Sequence, residues 1–147
     1  MYYILNLTEE QKQEIQALNE IALKISAPSA LYKAIYKIYY ENPTNELIGR
    51  VVGSGRHIGI YKITNIDNGR SYVGQSNDLA ARFKQHIKRG CGAETPTKSK
   101  LYPAMLKEGL WKFTFEVIEE CTEKELNERE DYYQNFYDSI NYGYSIK

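Results

Sequence analysis

The sequence predicts a mixed α/β fold: a small, mainly antiparallel sheet flanked by helices, with an N-terminal helical extension. Three observations predict it. Residues 58–75 hold an apolar hairpin with Asp-Asn-Gly at its turn. Residues 112–118 alternate apolar and polar side chains. Helical stripes begin at capping signals, and the resulting order of the second part is ββα(α)βα.

The elements follow in order. Thr8-Glu9-Glu10-Gln11 is a capping box, in which side chains satisfy free backbone donors at a helix start. Ile15, Leu18, Ala22 and Ile25 then fall on one face. Ser26-Ala27-Pro28 restarts a helix with the stripe Leu31, Ile35 and Ile38, and Pro43 is expected to end it by Asn42. Residues 43–56, with Gly49, Gly53 and Gly55, read as a linker or an irregular edge strand. Ile58, Ile60 and Ile63 mark a strand, Asp67-Asn68-Gly69 its turn, and Ser71 to Gln75 the return. A helix is expected over 77–89, capped by Ser76 or Asn77 and stopped by Gly90. A shorter one over 98–108 closes at Gly109. Phe113, Phe115 and Val117 alternate with Lys112, Thr114 and Glu116 in a half-buried strand. Thr122-Glu123-Lys124-Glu125 is a second capping box, opening a helix to about Tyr137. Ile-Tyr-Lys-Ile occurs at both 35 and 60, too short to be a repeat.

Composition excludes several classes. At 147 residues with 42% apolar and 26% charged side chains, the chain is neither disordered nor in need of a disulfide or metal staple. No run of about 18 apolar residues is present, and the N-terminus lacks the basic and apolar regions of a secretory signal. Cys91 and Cys121 stand apart without a CxxC, which excludes a zinc motif and a disulfide framework and points to an intracellular setting. The zero net charge hides an asymmetry. Residues 51–107 carry 10 basic and 3 acidic side chains, whereas 108–147 carry 4 and 10. A basic middle of this kind suggests a local anion-binding face.

Two helices hold polar residues where the pattern expects apolar ones. Arg82 and His86 share a face beside Leu79, Phe83 and Ile87. Glu130 joins the stripe of Leu126 and Tyr133, while Glu128 faces solvent. A carboxylate on a buried face must be paired, hydrogen-bonded or metal-bound. Helix geometry alone favours an internal ion pair of Glu130 with Arg82.

Gly59-Ile60-Tyr61 followed after a turn by Tyr72-Val73-Gly74 resembles the signature of the GIY-YIG nuclease superfamily. Arg82, His86, the strand from Phe113 to Glu120 and the segment Leu126 to Tyr133 follow in the family's order and spacing. The resemblance spans residues 57–145 and is nearest to the nuclease domains of phage intron homing endonucleases. It implies a GIY-YIG nuclease core over 57–147, with residues 1–56 as the helical extension and linker.

The resemblance further implies a divalent-metal-dependent DNA endonuclease with the catalytic set Tyr61, Tyr72, Arg82, His86 and Glu130. Glu130 would ligate one Mg²⁺ or Mn²⁺ per active site, since Mg²⁺ keeps several waters and can use a single carboxylate. Arg82 would stabilise the phosphate and the transition state. Tyr61 is the expected general base, with His86 its competitor. Gly59 and Gly74 are expected to permit close backbone approach. Lys84, Lys88, Arg89, Lys98 and Lys100 are the candidates for phosphate contacts. Tyr132, Tyr133 and Tyr137 read as core and edge aromatics, Trp111 as packed on the sheet, and His57 as incidental. The family's Gly-Tyr-Asn is Gly143-Tyr144-Ser145 here, so Ser145 or Asn141 takes the supporting role. A type II restriction endonuclease and a non-catalytic nucleic-acid-binding module are the alternatives. Double-stranded DNA is the expected partner, without membrane, in the cytoplasm of a bacterial or phage-infected cell. A homodimer and a separate recognition region or subunit stay open.

Overall fold

Strand β1 (Gly59–Asn65) is the axis of the molecule, because it lies between the other two strands of the sheet. Strand β2 (Ser71–Ser76) and strand β3 (Phe113–Glu120) flank it, both antiparallel, in the order β2-β1-β3. The computed structural model describes residues 2–146. The hairpin turns at Asp67-Asn68-Gly69, where Gly69 takes φ +72° and the Asn65 and Asn68 side chains accept from Asp67 and Arg70 amides. Strand alternation divides the sheet into two faces. Tyr61, Ile63, Phe113 and Phe115 enter the main core, while Ile60 and Val73 meet Leu126 in a smaller one.

Helices α1 (Glu9–Ala22), α2 (Ser29–Ile35) and α3 (Glu41–Val51) precede the sheet. The Thr8 capping box forms with Gln11, as its residue types dictate. Helix α1 stops at Ala22, so Ile25 does not join the stripe and is exposed. The region from 43 to 56 differs from the expected linker. Tyr36–Tyr40 form a π-helical turn, in which the Glu41 amide reaches Tyr36 O, and α3 starts directly from it. Pro43 therefore lies in the first turn of a new helix instead of ending the previous one, where its missing N–H costs little. The wide turn also shifts the helix phase. Tyr36, Tyr40, Thr44 and Leu47 turn inward, and Ile38 is left 70% exposed.

The extension is built into the core. Leu5, Leu7, Ile15, Ile35 and Leu47 pack in the same cluster as Tyr61 and Phe83. Tyr3 exchanges two backbone hydrogen bonds with Phe115, on the outer side of β3.

After the hairpin come α4 (Leu79–Gly90), α5 (Leu101–Glu108) and α6 (Leu126–Phe136). The N-cap of α4 is Asp78, whose carboxylate accepts from the Ala81 amide, while Ser76 supports the Asp78 amide. Gly90 does not stop α4 by a left-handed turn. It is the last helical residue, and a Cβ there would lie 2.5 Å from Met105 Sδ of α5. The left-handed position falls to Gly92, at φ +87°. The Thr122–Glu125 capping box forms as expected ahead of α6. A forked pair fixes α6 to the sheet: Arg129 donates to both Glu119 oxygens at 2.7 and 2.8 Å, and Tyr133 donates to the same carboxylate. Trp111 is buried, as expected of a residue packed at the sheet.

Two glycines of the hairpin leave no room for a methyl group. At Gly59 the register of β1 on β3 shifts between Ile60 and Tyr61, and a Cβ would fall 2.2 Å from Glu119 O. At Gly74 a Cβ would fall 2.5 Å from the Tyr61 hydroxyl. Gly49, by contrast, sits in α3 with nothing within 4 Å of a Cβ. Gly59→Ala should therefore cost about 2–3 kcal/mol of stability, and Gly49→Ala should add about 0.5–1 kcal/mol. Urea titrations of the two variants against the wild type check both signs.

Candidate active site

The open edge of β2 defines the site. Toward its Ser71 end that edge is covered. The Tyr144 amide donates to Ser71 O at 2.8 Å, Ser145 Oγ accepts from the Val73 amide at 2.9 Å, and Gln134 donates to Val73 O. Beyond Val73 no described residue of the C-terminal segment bonds to the edge, and the polar residues gather there. Of the two candidates, Ser145 is enclosed with its hydroxyl on the Val73 backbone, while Asn141 is exposed.

On the α4 face, the register sets Tyr61 of β1 opposite Gly74 of β2. The missing side chain at 74 is the space in which the Tyr61 hydroxyl lies. Tyr61 is completely buried, and its oxygen contacts His86 Nε2 at 2.5 Å and accepts from Arg82 Nε at 3.3 Å. Helix spacing presents Arg82 and His86 together, four residues apart on α4. The Tyr72 ring closes the cluster, 6.0 Å from the Tyr61 ring and 5.2 Å from the His86 ring. On its far side His86 Nδ1 meets the Tyr102 hydroxyl of α5 at 2.9 Å.

Burial sets the protonation of this cluster. It pushes the Tyr61 hydroxyl well above the ordinary phenol range, against the opposing effect of Arg82. It pushes His86 well below the ordinary imidazole range, and Arg82 and Arg89 add to that. Both groups rest neutral. A neutral imidazole against a phenol is a proton acceptor paired with a donor.

Glu130 lies on the other face of β2, half-buried on α6. Its Oε1 accepts from Gln75 Nε2 at 3.2 Å. Gln75 Nε2 reaches Asn127 Oδ1 at 2.7 Å as well. Burial raises the Glu130 carboxyl above the usual range, with Gln75 and Arg82 pulling the other way. The expected ion pair with Arg82 does not form. Arg82 is near enough to act through its charge, but its side chain is taken by Tyr61 and by Gln85 Oε1. The sheet explains this: Arg82 approaches over the α4 face, whereas Glu130 approaches over the α6 face. Among the described residues, Glu130 is therefore a half-buried carboxylate without a cationic contact.

The structure brings Tyr61, Tyr72, Arg82 and His86 into one cluster and sets Glu130 on the adjoining β2 edge. The basic candidates divide. Lys84 and Lys98 are exposed. Lys88 lies over the Tyr36 ring, Arg89 faces Glu94, and Lys100 donates to Ile140 O. Cys91 has its thiol pushed up to about 12 by burial, so it offers no thiolate. Tyr133 and Tyr137 are partly covered, but Tyr132 and Phe136 are open to solvent at the end of α6. His57 is not incidental to the fold: it bridges Glu120 at 2.7 Å and Ser54 O at 2.8 Å.

Sequence reasoning misses Gln75, Asn127 and Tyr102. Gln75 has one available signal, a polar residue on the strand face that also carries Val73 and Ile60. Tyr102 has none, being one of 14 tyrosines on a short helix.

The family model of the GIY-YIG catalytic domain matches residues 57–143. Two solved structures are similar. One is the catalytic domain of the homing endonuclease I-TevI, 30% identical at a TM-score of 0.51, over 61% of this chain and 98% of that one. The other is a glutamate-to-alanine mutant of the catalytic domain of the intron endonuclease I-TevI, 28% identical at 0.52, over 62% and 94%. No curated protein sequence matches.

The two histidines should titrate far apart in NMR. His57, raised by its bond to Glu120 and then by Ser54, should have a midpoint above about 6.5, and His86 one well below it. The unfolded chain then takes up the His86 proton before the folded one does. Stability should fall as pH drops below about 6.5 through His86, whereas the His57 contribution is present there and fades as pH rises through its raised value. His86→Gln should flatten the acid limb of stability against pH.

Proposed function

The chain belongs to the GIY-YIG family of nuclease catalytic domains, and on that footing we propose that it is a divalent-metal-dependent DNA endonuclease of the homing-endonuclease kind. What carries the reading is one arrangement: Tyr61 hydrogen-bonded to both His86 and Arg82, beside a β2 edge on which Glu130 has no cationic contact among the described residues.

The residues present fit a hard divalent ion. Glu130 Oε1 and Asn127 Oδ1 are hard oxygens held by the Gln75 side-chain nitrogen, and once released from it they would suit Mg²⁺ or Mn²⁺. Among the described residues no three His, Cys, Asp or Glu side chains are placed to hold a metal ion together, so the site suits one ion that keeps most of its waters. A cation there would reverse the raised pKa of Glu130. When bound, it supplies positive charge to the scissile phosphate and the leaving 3′ oxygen.

The chain's own groups do the rest. Arg82 turns its guanidinium to the phosphate and holds the charge that grows in the transition state. As Arg82 leaves it for the phosphate, the Tyr61 hydroxyl is uncovered and takes a proton from the attacking water while its own proton passes to His86 Nε2. The water oxygen bonds to phosphorus, the P–O3′ bond breaks, and the 3′ oxygen is protonated from solvent. Arg82 is one of the charges depressing His86. Neutralising Arg82 with substrate phosphate lifts that effect, so the base strengthens when DNA is in place. Tyr72 orients the water or the phosphate. His86 acts behind Tyr61, because both its ring nitrogens are engaged by tyrosines.

Lys84 and Lys98 extend the contact along the DNA backbone. Lys88, Arg89 and Lys100 serve mainly to hold the neighbouring chain.

Cleavage of supercoiled plasmid tests the reading. Mg²⁺ or Mn²⁺ should support nicking or linearisation, and EDTA should stop it. Glu130→Ala should abolish cleavage and largely spare DNA binding. Arg82→Ala should lower turnover by about 10²–10³-fold, since the lost charge acts in the transition state. Bound but uncut DNA under every metal would favour the non-catalytic module. A short target cut often would favour a type II restriction endonuclease over a homing endonuclease. In a separate binding measurement, Lys98→Ala should weaken affinity about equally on all sequences and flatten its salt dependence by about one unit.

A further inference from the structure

His86 is held between two phenols, and only one of them faces the β2 edge. A neutral imidazole has one N–H and one bare nitrogen, so one tyrosine must donate to it and the other must accept. The contacts, at 2.5 Å to Tyr61 and 2.9 Å to Tyr102, allow either sense by distance alone.

The surroundings of the two phenols differ, and the difference fixes the sense. Tyr61 is wholly enclosed, so its proton must find an acceptor inside the protein. Arg82 Nε can only donate, and the short contact is to His86 Nε2. The Tyr102 ring lines an open groove with Tyr32, Arg89, Ser99 and Leu106. The charge of Arg89 lies near its hydroxyl. That oxygen has lone pairs to accept the His86 Nδ1–H at 2.9 Å. In the opposite sense Nε2–H would point at Tyr61 together with Arg82 Nε, and Tyr61 would lose its nitrogen acceptor.

We propose that Tyr102 is a positioning residue of the active site: its hydroxyl accepts the Nδ1–H of His86 and so keeps Nε2 bare toward Tyr61. The inference rests on the reading of Tyr61 and His86 as the proton-accepting pair. It assigns to a neutral phenol the orienting work that a carboxylate performs in other histidine sites. A neutral acceptor suits this cluster. A carboxylate would favour the imidazolium, and a cationic His86 could accept nothing from Tyr61.

The fold holds Tyr102 at the required place. Ser99 Oγ accepts from the amides of Leu101 and Tyr102 at the start of α5. Gly90 lets α5 approach α4 closely enough for Met105 to lie over it. Tyr102 is itself buried.

The test has two arms. Long-range ¹H–¹⁵N correlation NMR of the free protein reads the tautomer directly, and His57→Asn assigns the His86 signals, since the chain has two histidines. The expected result is Nδ1–H with a bare Nε2. A wild-type His86 carrying Nε2–H overturns the proposal, whether or not any variant folds. In the second arm, Tyr102→Phe keeps the ring and removes only the acceptor. It should shift His86 toward Nε2–H and lower kcat about 10- to 100-fold, with KM and DNA affinity little changed. Unchanged kcat in a folded variant overturns the proposal. A wild type that shows Nδ1–H but cuts no DNA supports the placement of Tyr102 and counts against the nuclease reading.

Discussion

A buried tyrosine hydroxyl with nowhere else to go governs this structure. Tyr61 lies in the central strand, and its oxygen fills the space that Gly74 leaves across the ladder. Once that hydroxyl is enclosed, it must be satisfied, because an unpaired buried polar group costs roughly 1–3 kcal/mol. Arg82 and His86 satisfy it, and both must come from the one helix that crosses that face. Tyr102 then satisfies the far nitrogen of His86. The order of dependence runs outward from one oxygen through two helices, each link placed by packing: the glycine opposite Tyr61, the four-residue spacing on α4, the close contact of α4 with α5 at Gly90.

The sheet separates this cluster from Glu130, and the separation has chemical value. Had Arg82 and Glu130 reached each other over one face, they would have formed an internal ion pair with neither end available. Instead each meets a neutral amide partner, Gln85 and Gln75, that is readily displaced. The forked pair of Arg129 with Glu119 carries the strong electrostatic attachment of α6, so Glu130 is spared from it.

Much of this is legible in the sequence, and the failures have physical causes. The hairpin, β3 and both capping boxes are local signals, written in turn residues, alternation and the reach of short side chains. Spacing alone picks out the motif residues. The Arg82–Glu130 pair is wrongly expected because helix faces say nothing about which side of a sheet a helix covers. The helix from Glu41 to Val51 reads as linker because Pro43 looks like a terminator until a π turn precedes it. The tetrapeptide Ile-Tyr-Lys-Ile makes the same point within one chain. At 35–38 it passes from α-helix into the π turn, and at 60–63 it is central strand. Four residues cannot decide between the two, and their partners do. Tyr102 is invisible in the sequence because its importance lies in one contact across helices.

Both outer edges of the sheet are guarded over part of their length. Tyr3 pairs with Phe115 on one edge, and Tyr144 and Ser145 bind Ser71 and Val73 on the other. A three-stranded sheet offers two rows of unpaired backbone groups, which are templates for strand addition by a neighbouring molecule. Here segments from near the two ends of the described chain act as bolts on those rows. Fusing a tag beside either bolt, or trimming it, bares a strand edge before it disturbs any active-site residue. Aggregation in such a protein would report a lost guard on the sheet, and a fall in activity that came with it would say nothing about the chemistry.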